Sequence, residues 1–336
     1  MAAPRGDDFP FCFSCMPTDD YESFMFHDHV GESAPAPLPP LPRKVDMSNK
    51  MTPIKNQLRF GSCASFAVCA ALDALVKAKT GAEYPESERF LWYTSKDRKN
   101  GRGDKDDGIS IGEVLAAAQN LGNCWEESCP YDDKTALVRP DAAAYTEALK
   151  MKVSGEPATG RVEISVESFK RMLFSGVPII VAYTIMDKPD MATATYDRQG
   201  IMRVPQTPKP DGAHGVLFVG YDDDKVDDTL ASKPKGFFKF KNSWGLEVQG
   251  HKVGDNGYFY MPYDYVNKTN ISEAWVVREQ AIAPHPARAG GANAVSAEAE
   301  APGAAADDML VEVPQLEPIE GFRIINGKQP CEVFQY

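Results

Sequence analysis

The sequence predicts an α+β protein in which a helix-rich first half is followed by an antiparallel β-rich second half. Between Ser62 and Gly176 the chain alternates capping residues, helix-favouring runs and glycine stops. From Val177 onward it changes to short runs of Val, Ile, Phe and Tyr bounded by Gly, Pro, Asn or Asp. Size agrees: 336 residues, 43% hydrophobic and 25% charged, bury either one large core or two lobes that share a cleft.

Residues 34–42, APAPLPPLP, cannot sustain a helix or a central strand and are expected to run as a polyproline II spacer. They separate a flexible extension, 1–40, from a compact unit, 41–280. The first helix is expected over Cys63–Lys79: Ser62 supplies a cap, alanines favour helix, lysines fill the last turn and Gly81 ends it. Its faces are nearly all small or apolar, so it is expected to be buried. Glu86–Ser95 and Asp141–Lys150 are weaker helices. A further helix starts at Ser110, where Ser110 and Glu113 form a capping box and Gly122 is the stop, and another covers Val166–Phe174 behind Ser165. The strands expected next are VPIIVAYTI, GVLFVGY, FFKFK, GYFYM and AWVV. Residues 281–308 are Ala, Gly, Pro and acid without an aromatic anchor and read as a disordered linker. After it, 309–336 regains apolar residues, and alternation at Leu310–Val313 and from Phe322 suits a docking tail that adds a strand to a sheet edge or covers a cleft.

A formal charge of −12 repels phosphate backbones and anionic lipid, which argues against nucleic-acid and membrane partners. No run approaches the ~18 apolar residues of a membrane span, and the first residues carry acid where a signal peptide is apolar. A cytoplasmic location is the expectation, and seven cysteines, an odd number, suit reduced thiols there. No pattern calls for a cofactor. Cys12 and Cys15 followed by His27 and His29 invite a zinc reading, but the histidine spacing is too short for the usual finger, and an extension without metal is the expectation.

Three elements carry chemistry. Cys63 sits on the first turn of its helix, where unsatisfied N–H groups and the macrodipole favour a thiolate. His214 heads an apolar strand, and Asn242 ends another beside Trp244. Each alone has a structural reading: a buried small residue, a bonded strand-end histidine, a turn former. In this order, however, they supply a nucleophile, a base that forms its ion pair, and an acceptor that fixes the imidazole tautomer. Gln57, six residues before the cysteine, can add an amide donor beside the Cys63 N–H for a developing oxyanion. Thiolate with imidazolium as the reactive form implies a bell-shaped pH profile.

With these residues in place, the chain from about Leu41 to Arg278 resembles the papain-like cysteine peptidases. The resemblance rests on LPRKVDMSNKMTPIKNQ, the Gln57-to-Cys63 spacing, DDG before Ser110, the His214 strand, KNSWG and GDNGYFYM. It implies two lobes, the second barrel-like, with the cleft between them; Cys63 as nucleophile, His214 as acid and base, Asn242 as orienting residue and Gln57 as oxyanion donor. It also implies that Gly108 and Ile109 bind the substrate backbone, with Ala213 and Gly215 on the facing wall leaving room for a bulky apolar side chain, and Trp244 close by. The substrate is a peptide or protein. The sequence departs from the family's pattern at Phe60, where secreted members carry a disulfide-forming Cys, and at Ala64, where an aromatic residue follows the nucleophile. A catalytically silent peptide binder and an acyl transferase to amines are the rival functions.

Overall fold

In the computed structural model the described residues are 15, 24–28, 39–155, 158–186, 199–204, 210, 212–285 and 322–325, with 24–28 and 322–325 described as backbone only. Cys12, His29, Asp211 and the segments 286–321 and 326–336 lie outside them.

Five α-helices follow in chain order: α1 Cys63–Thr80, α2 Glu88–Asn100, α3 Ile111–Asn120, α4 Ala142–Ala148 and α5 Val166–Phe174. Side-chain oxygens of Ser87, Ser110, Asp141 and Ser165 accept from the amide three residues on, so four of the five starts are capped as short-range chemistry dictates. The exception is the helix that matters most. Ser62 makes no cap; its hydroxyl pairs with the Tyr131 hydroxyl at 2.7 Å. The Ser110–Glu113 box is also half formed, because the Glu113 carboxylate turns to Arg98 at 3.0 Å.

The strands are β1 Phe24–Asp28, β2 Lys44–Asp46, β3 Thr159–Val162, β4 Ile179–Thr184, β5 Ala213–Val226, β6 Lys235–Lys241, β7 Glu247–Val248, β8 His251–Lys252, β9 Tyr258–Pro262, β10 Ile271–Val277 and β11 Phe322–Ile325. One sheet runs β11-β1-β3-β10-β4-β5-β6-β9, with β2 on β5; β7 and β8 pair separately. The barrel-like lobe expected above is corrected here: β11 and β9 end the path without meeting, so the sheet is open among the described residues. Nor is it wholly antiparallel. The extension contributes β1, which lies parallel to β3 and antiparallel to β11, with Met25 opposite Ile325.

Helix α1 lies across β5 and β4 and buries twelve of its eighteen residues between that sheet and helices α2 and α3. Close approach of helix and sheet needs small residues on both sides. A Cβ on Gly215 would come within 3.1 Å of the Ala64 Cα, so glycine here and alanine there bring the head of β5 onto the first turn of α1. Phe60, buried, packs against the rings of Trp92 (5.8 Å) and Tyr131 (6.3 Å). Aromatic contacts of this kind add about 0.5–1.5 kcal/mol each beyond burial, against about 2–4 kcal/mol for a disulfide. Packing therefore replaces part of the staple the resemblance would place at this position.

Packing continues past residue 280, where the linker was expected to start. Ala281 donates to the Lys152 carbonyl at 2.9 Å, and His285, buried, stacks on Tyr84 at 4.1 Å. Residues 281–285 thus belong to the packed unit.

Candidate active site

The turn before α1 is set by hydrogen bonds from every side. Leu58 adopts a left-handed backbone (φ 56°), a conformation that costs a non-glycine residue about 1–2 kcal/mol. Asn56 Oδ1 accepts from its N–H at 2.8 Å, and the flanking Gln57 N–H donates to the Ser243 carbonyl at 2.8 Å. Tyr131 donates to the Gln57 carbonyl at 2.8 Å, and Asp106 accepts from the Gly61 N–H at 2.9 Å. The strained turn is thereby held where it delivers Cys63 to the first position of α1.

Gln57 is fully buried with both ends of its amide engaged. Oε1 accepts from Ser243 Oγ at 2.6 Å and Nε2 donates to the Phe60 carbonyl at 3.0 Å. This fixes which atom is nitrogen and keeps it on the Phe60–Cys63 side.

His214 and Asn242 come from neighbouring strands of the sheet. His214 lies at the head of β5, paired with Tyr183 of β4, and Asn242 follows the last residue of β6. Their side chains meet at 2.9 Å between Nε2 and Oδ1, which leaves Nδ1 for the sulfur of Cys63. The imidazole is buried, stacked on Trp244 at 4.8 Å and met edge-on by Tyr183. Trp244 is itself fully buried, so it shields the His–Asn pair and does not line a substrate surface as expected. Gly245 allows this segment to close on the turn: its φ is 71°, its N–H donates to the Lys55 carbonyl, and a Cβ would press on Asn56.

The Cys63 thiol is held well below the ordinary thiol range. A hydrogen bond from Cys15 is the largest cause; against the opposing cost of burial, the hydrogen bond and charge of His214 and the Gly215 N–H add to it. The partner thiol moves the other way. Cys15 is raised well above its usual value by its bond to Cys63, by burial, and by the charges of Cys63 and Glu273. Sequence reasoning missed Cys15 altogether as a site residue. It is buried, its N–H donates to the Ala213 carbonyl at 3.1 Å, and the Ile111 N–H reaches its sulfur. Among the described residues no cluster of His, Cys, Asp and Glu suits a metal.

Of the expected pocket residues, Ala213 faces Cys15, and Ile109 is buried in the same apolar cluster as Cys15 and Cys63. Gly108 is half-buried in the adjoining loop. Gly215 is corrected: the space beside its Cα is filled by the α1 backbone, so its smallness serves helix–strand approach and opens no room for a side chain.

Beneath the site lies a second feature absent from the sequence reading, a buried charge network. Lys55 Nζ meets Glu88 at 2.7 Å, Lys241 Nζ reaches Thr52 at 3.0 Å, and Asp73 accepts from Thr52 and from the Glu86 N–H. With Asn242 and Ser243, Lys55, Asp73, Glu88 and Lys241 line a small pocket. Burial pushes Glu88 up to about 7 despite Lys55, and lowers Lys241 to about 8. Lys55 and Lys241 stand inside the KNQ and KNSWG motifs, the one signal that pointed here.

Comparison with known proteins covers the stretch of chain that holds this site. The family model for papain family cysteine proteases matches residues 41–278. The chain belongs to the papain family of cysteine proteases. Family members are cysteine-type peptide hydrolases. Among relatives, an uncharacterised peptidase C1-like protein of Acanthamoeba polyphaga mimivirus is 29% identical over 236 residues, 67% of this chain and 69% of its own length. Human cathepsin L2 is 28% identical over 238 residues, covering 70% of this chain and 64% of the relative. Xylellain, a cysteine protease from Xylella fastidiosa, superposes with a TM-score of 0.61 at 25% identity over 79% of this chain and 95% of its own. Among the described residues no helix is long and apolar enough to cross a membrane.

Proposed function

We propose that this papain-family chain hydrolyses peptide bonds through a thioester on Cys63. The observation that carries the reading is the contact series from Cys63 to His214 to Asn242, with the thiol depressed at one end and the imidazole fixed at 2.9 Å at the other. In this mechanism the Cys63 thiolate attacks the carbonyl carbon, the Cys63 N–H and Gln57 Nε2 donate to the oxyanion, and His214 protonates the leaving amine. Water, deprotonated by His214, then releases the acid. Asn242 holds the imidazole with Nδ1 toward sulfur throughout.

Substrate would lie extended along the head of β5. The Ala213 carbonyl, which accepts the Cys15 N–H, offers a substrate N–H the same bond, and Gly108 and Ile109 form the opposite wall. Glu273, buried with Trp275 Nε1 donating to it at 2.8 Å, adds a carboxylate to this region that the sequence pattern does not flag.

The test is turnover of a fluorogenic peptide library by the full reduced chain. The account expects hydrolysis that Cys63→Ala abolishes while the fold is kept. Peptide binding without turnover would support a silent binder, and amide products formed with added amine would support acyl transfer. Either result displaces hydrolysis as the function.

A further inference from the structure

The loop that leads to Gly108 and Ile109 is fastened by a buried lysine that the mechanism does not use. Trp92 and Lys96 stand four residues apart on α2 and so share one face of it. Both are almost wholly buried. Trp92 Nε1 donates to the Asp107 carbonyl at 3.2 Å. Lys96 Nζ donates to the Lys105 carbonyl and lies 3.5 Å from the centre of the Trp92 ring. Between these two carbonyls, the Asp106 carboxylate accepts from the Gly61 N–H at 2.9 Å. Three successive loop residues are therefore bonded to α2 and to the turn before α1. Gly108 and Ile109 are the two residues between these anchors and Ser110, which caps α3.

Burial works against an ammonium at this place. It lowers Lys96 to about 8, although Asp104, Asp106 and Asp107 favour the charge and only Arg102 joins in opposing it. A methionine would fill much the same volume without that cost, but it would leave the Lys105 carbonyl without this donor. What the lysine adds over an apolar residue is thus a fixed loop, not a more stable core. We propose that Lys96 is a positioning residue for substrate binding: it holds Lys105–Asp107 so that Gly108 and Ile109 meet the peptide backbone. The contact with the Trp92 ring extends the same hold toward the nucleophile, because that ring packs on Phe60 in the turn before α1.

The inference rests on the proposed reading of Gly108 and Ile109 as a substrate wall, and two readouts on the full reduced chain keep the failures apart. The first is kinetic. Lys96→Met is expected to raise KM about tenfold for a fluorogenic tetrapeptide amide, the worth of one well-placed hydrogen bond, with kcat nearly unchanged. A single-residue ester, too short to lie along the wall, is expected to keep its kcat/KM. An equal loss on both substrates, with a lower denaturant midpoint, marks a merely structural lysine and overturns the proposal. The second readout is hydrogen exchange without substrate. Amides of residues 104–109 are expected to exchange faster in Lys96→Met while those of α1 do not change. Unaltered exchange in this loop overturns the proposal whatever the kinetics. Faster exchange with an unaltered KM for the tetrapeptide shows a loop that Lys96 anchors but peptide does not use, and overturns the wall reading beneath it. Trp92→Phe, which keeps the ring and removes the donor to Asp107, is expected to repeat both effects on a smaller scale.

Discussion

Two thiols among the described residues are depressed, Cys63 and Cys129, and for each the largest cause is a second cysteine, Cys15 for the first and Cys124 for the other. Cys129 falls to about 7, with Ser87 and Arg89 assisting against burial. Yet only Cys63 stands at the head of a helix, touches an imidazole and shares its turn with a fixed carboxamide. Cys129 sits in a turn before Pro130, packed with Phe90, Ala144 and Ala148. A low thiol pKa supplies an anion. Under the proposed reading a nucleophile also needs a proton carrier and oxyanion donors, and of these two thiols only Cys63 has an imidazole and a fixed carboxamide beside it among the described residues.

The sharpest way to break this contrast is paired substitution. Cys63→Ala is expected to remove measurable hydrolysis, whereas Cys129→Ala leaves kcat/KM within a few fold; steady-state assays of both variants decide it. His214→Ala is expected to lower kcat by about 10²–10⁴, the usual worth of a general acid–base. Gln57→Ala follows with about 10²–10³ in kcat and little change in KM, because its donor acts on charge that develops during reaction. Smaller still is the effect of Cys15→Ala on titration. Since the Cys15 bond is the largest cause of the depressed Cys63 thiol, its loss is expected to move the Cys63 thiolate absorbance limb to higher pH, short of the ordinary thiol value because His214 remains. The corresponding change at Cys124 is expected to leave that limb in place.

A stability measurement extends the contrast to the charges beneath the site. Glu88 titrates at about 7 in the folded chain, against about 4.3 when unfolded. Between these values the folded state holds a proton that the unfolded state has lost, so stability declines as pH rises through the window and this contribution levels off above it. Denaturant midpoints across the window are expected to show a steeper decline in the unaltered chain than in Glu88→Gln.

Much of this was legible where the physics is local. The helix starts at Ser110 and Ser165 follow from caps within three residues, the helices expected at Glu86–Ser95 and Asp141–Lys150 form with their starts shifted to caps at Ser87 and Asp141, and five of the strands after Val177 follow from runs bounded by turn formers. Cys63, His214 and Asn242 stood out because a candidate nucleophile, base and acceptor each leave a separate local mark, and the structure brings the three side chains together. What escaped depends on distant partners. Ser62 looks like a cap but bonds Tyr131, 69 residues away. Gly215 looks like pocket space but meets α1. Nothing local marks Lys55 and Lys241 as part of a charge network, because Glu88 and Asp73 come from other elements. The local pattern around Cys15 suggested at most a metal, and nothing local points to this site, since its place is fixed by Ala213 and Cys63, distant in sequence.

The central claim is that Cys63 is a thiolate to which, beside the larger effect of Cys15, His214 contributes as the partner in the reaction. The rate of iodoacetamide labelling at Cys63, followed by peptide mapping against pH in the reduced chain and in His214→Ala, tests it most directly. The account predicts labelling that persists well below the ordinary thiol range in the first and shifts upward in the second. Identical profiles, or a Cys63 that labels only where a free thiol ionises, would contradict it.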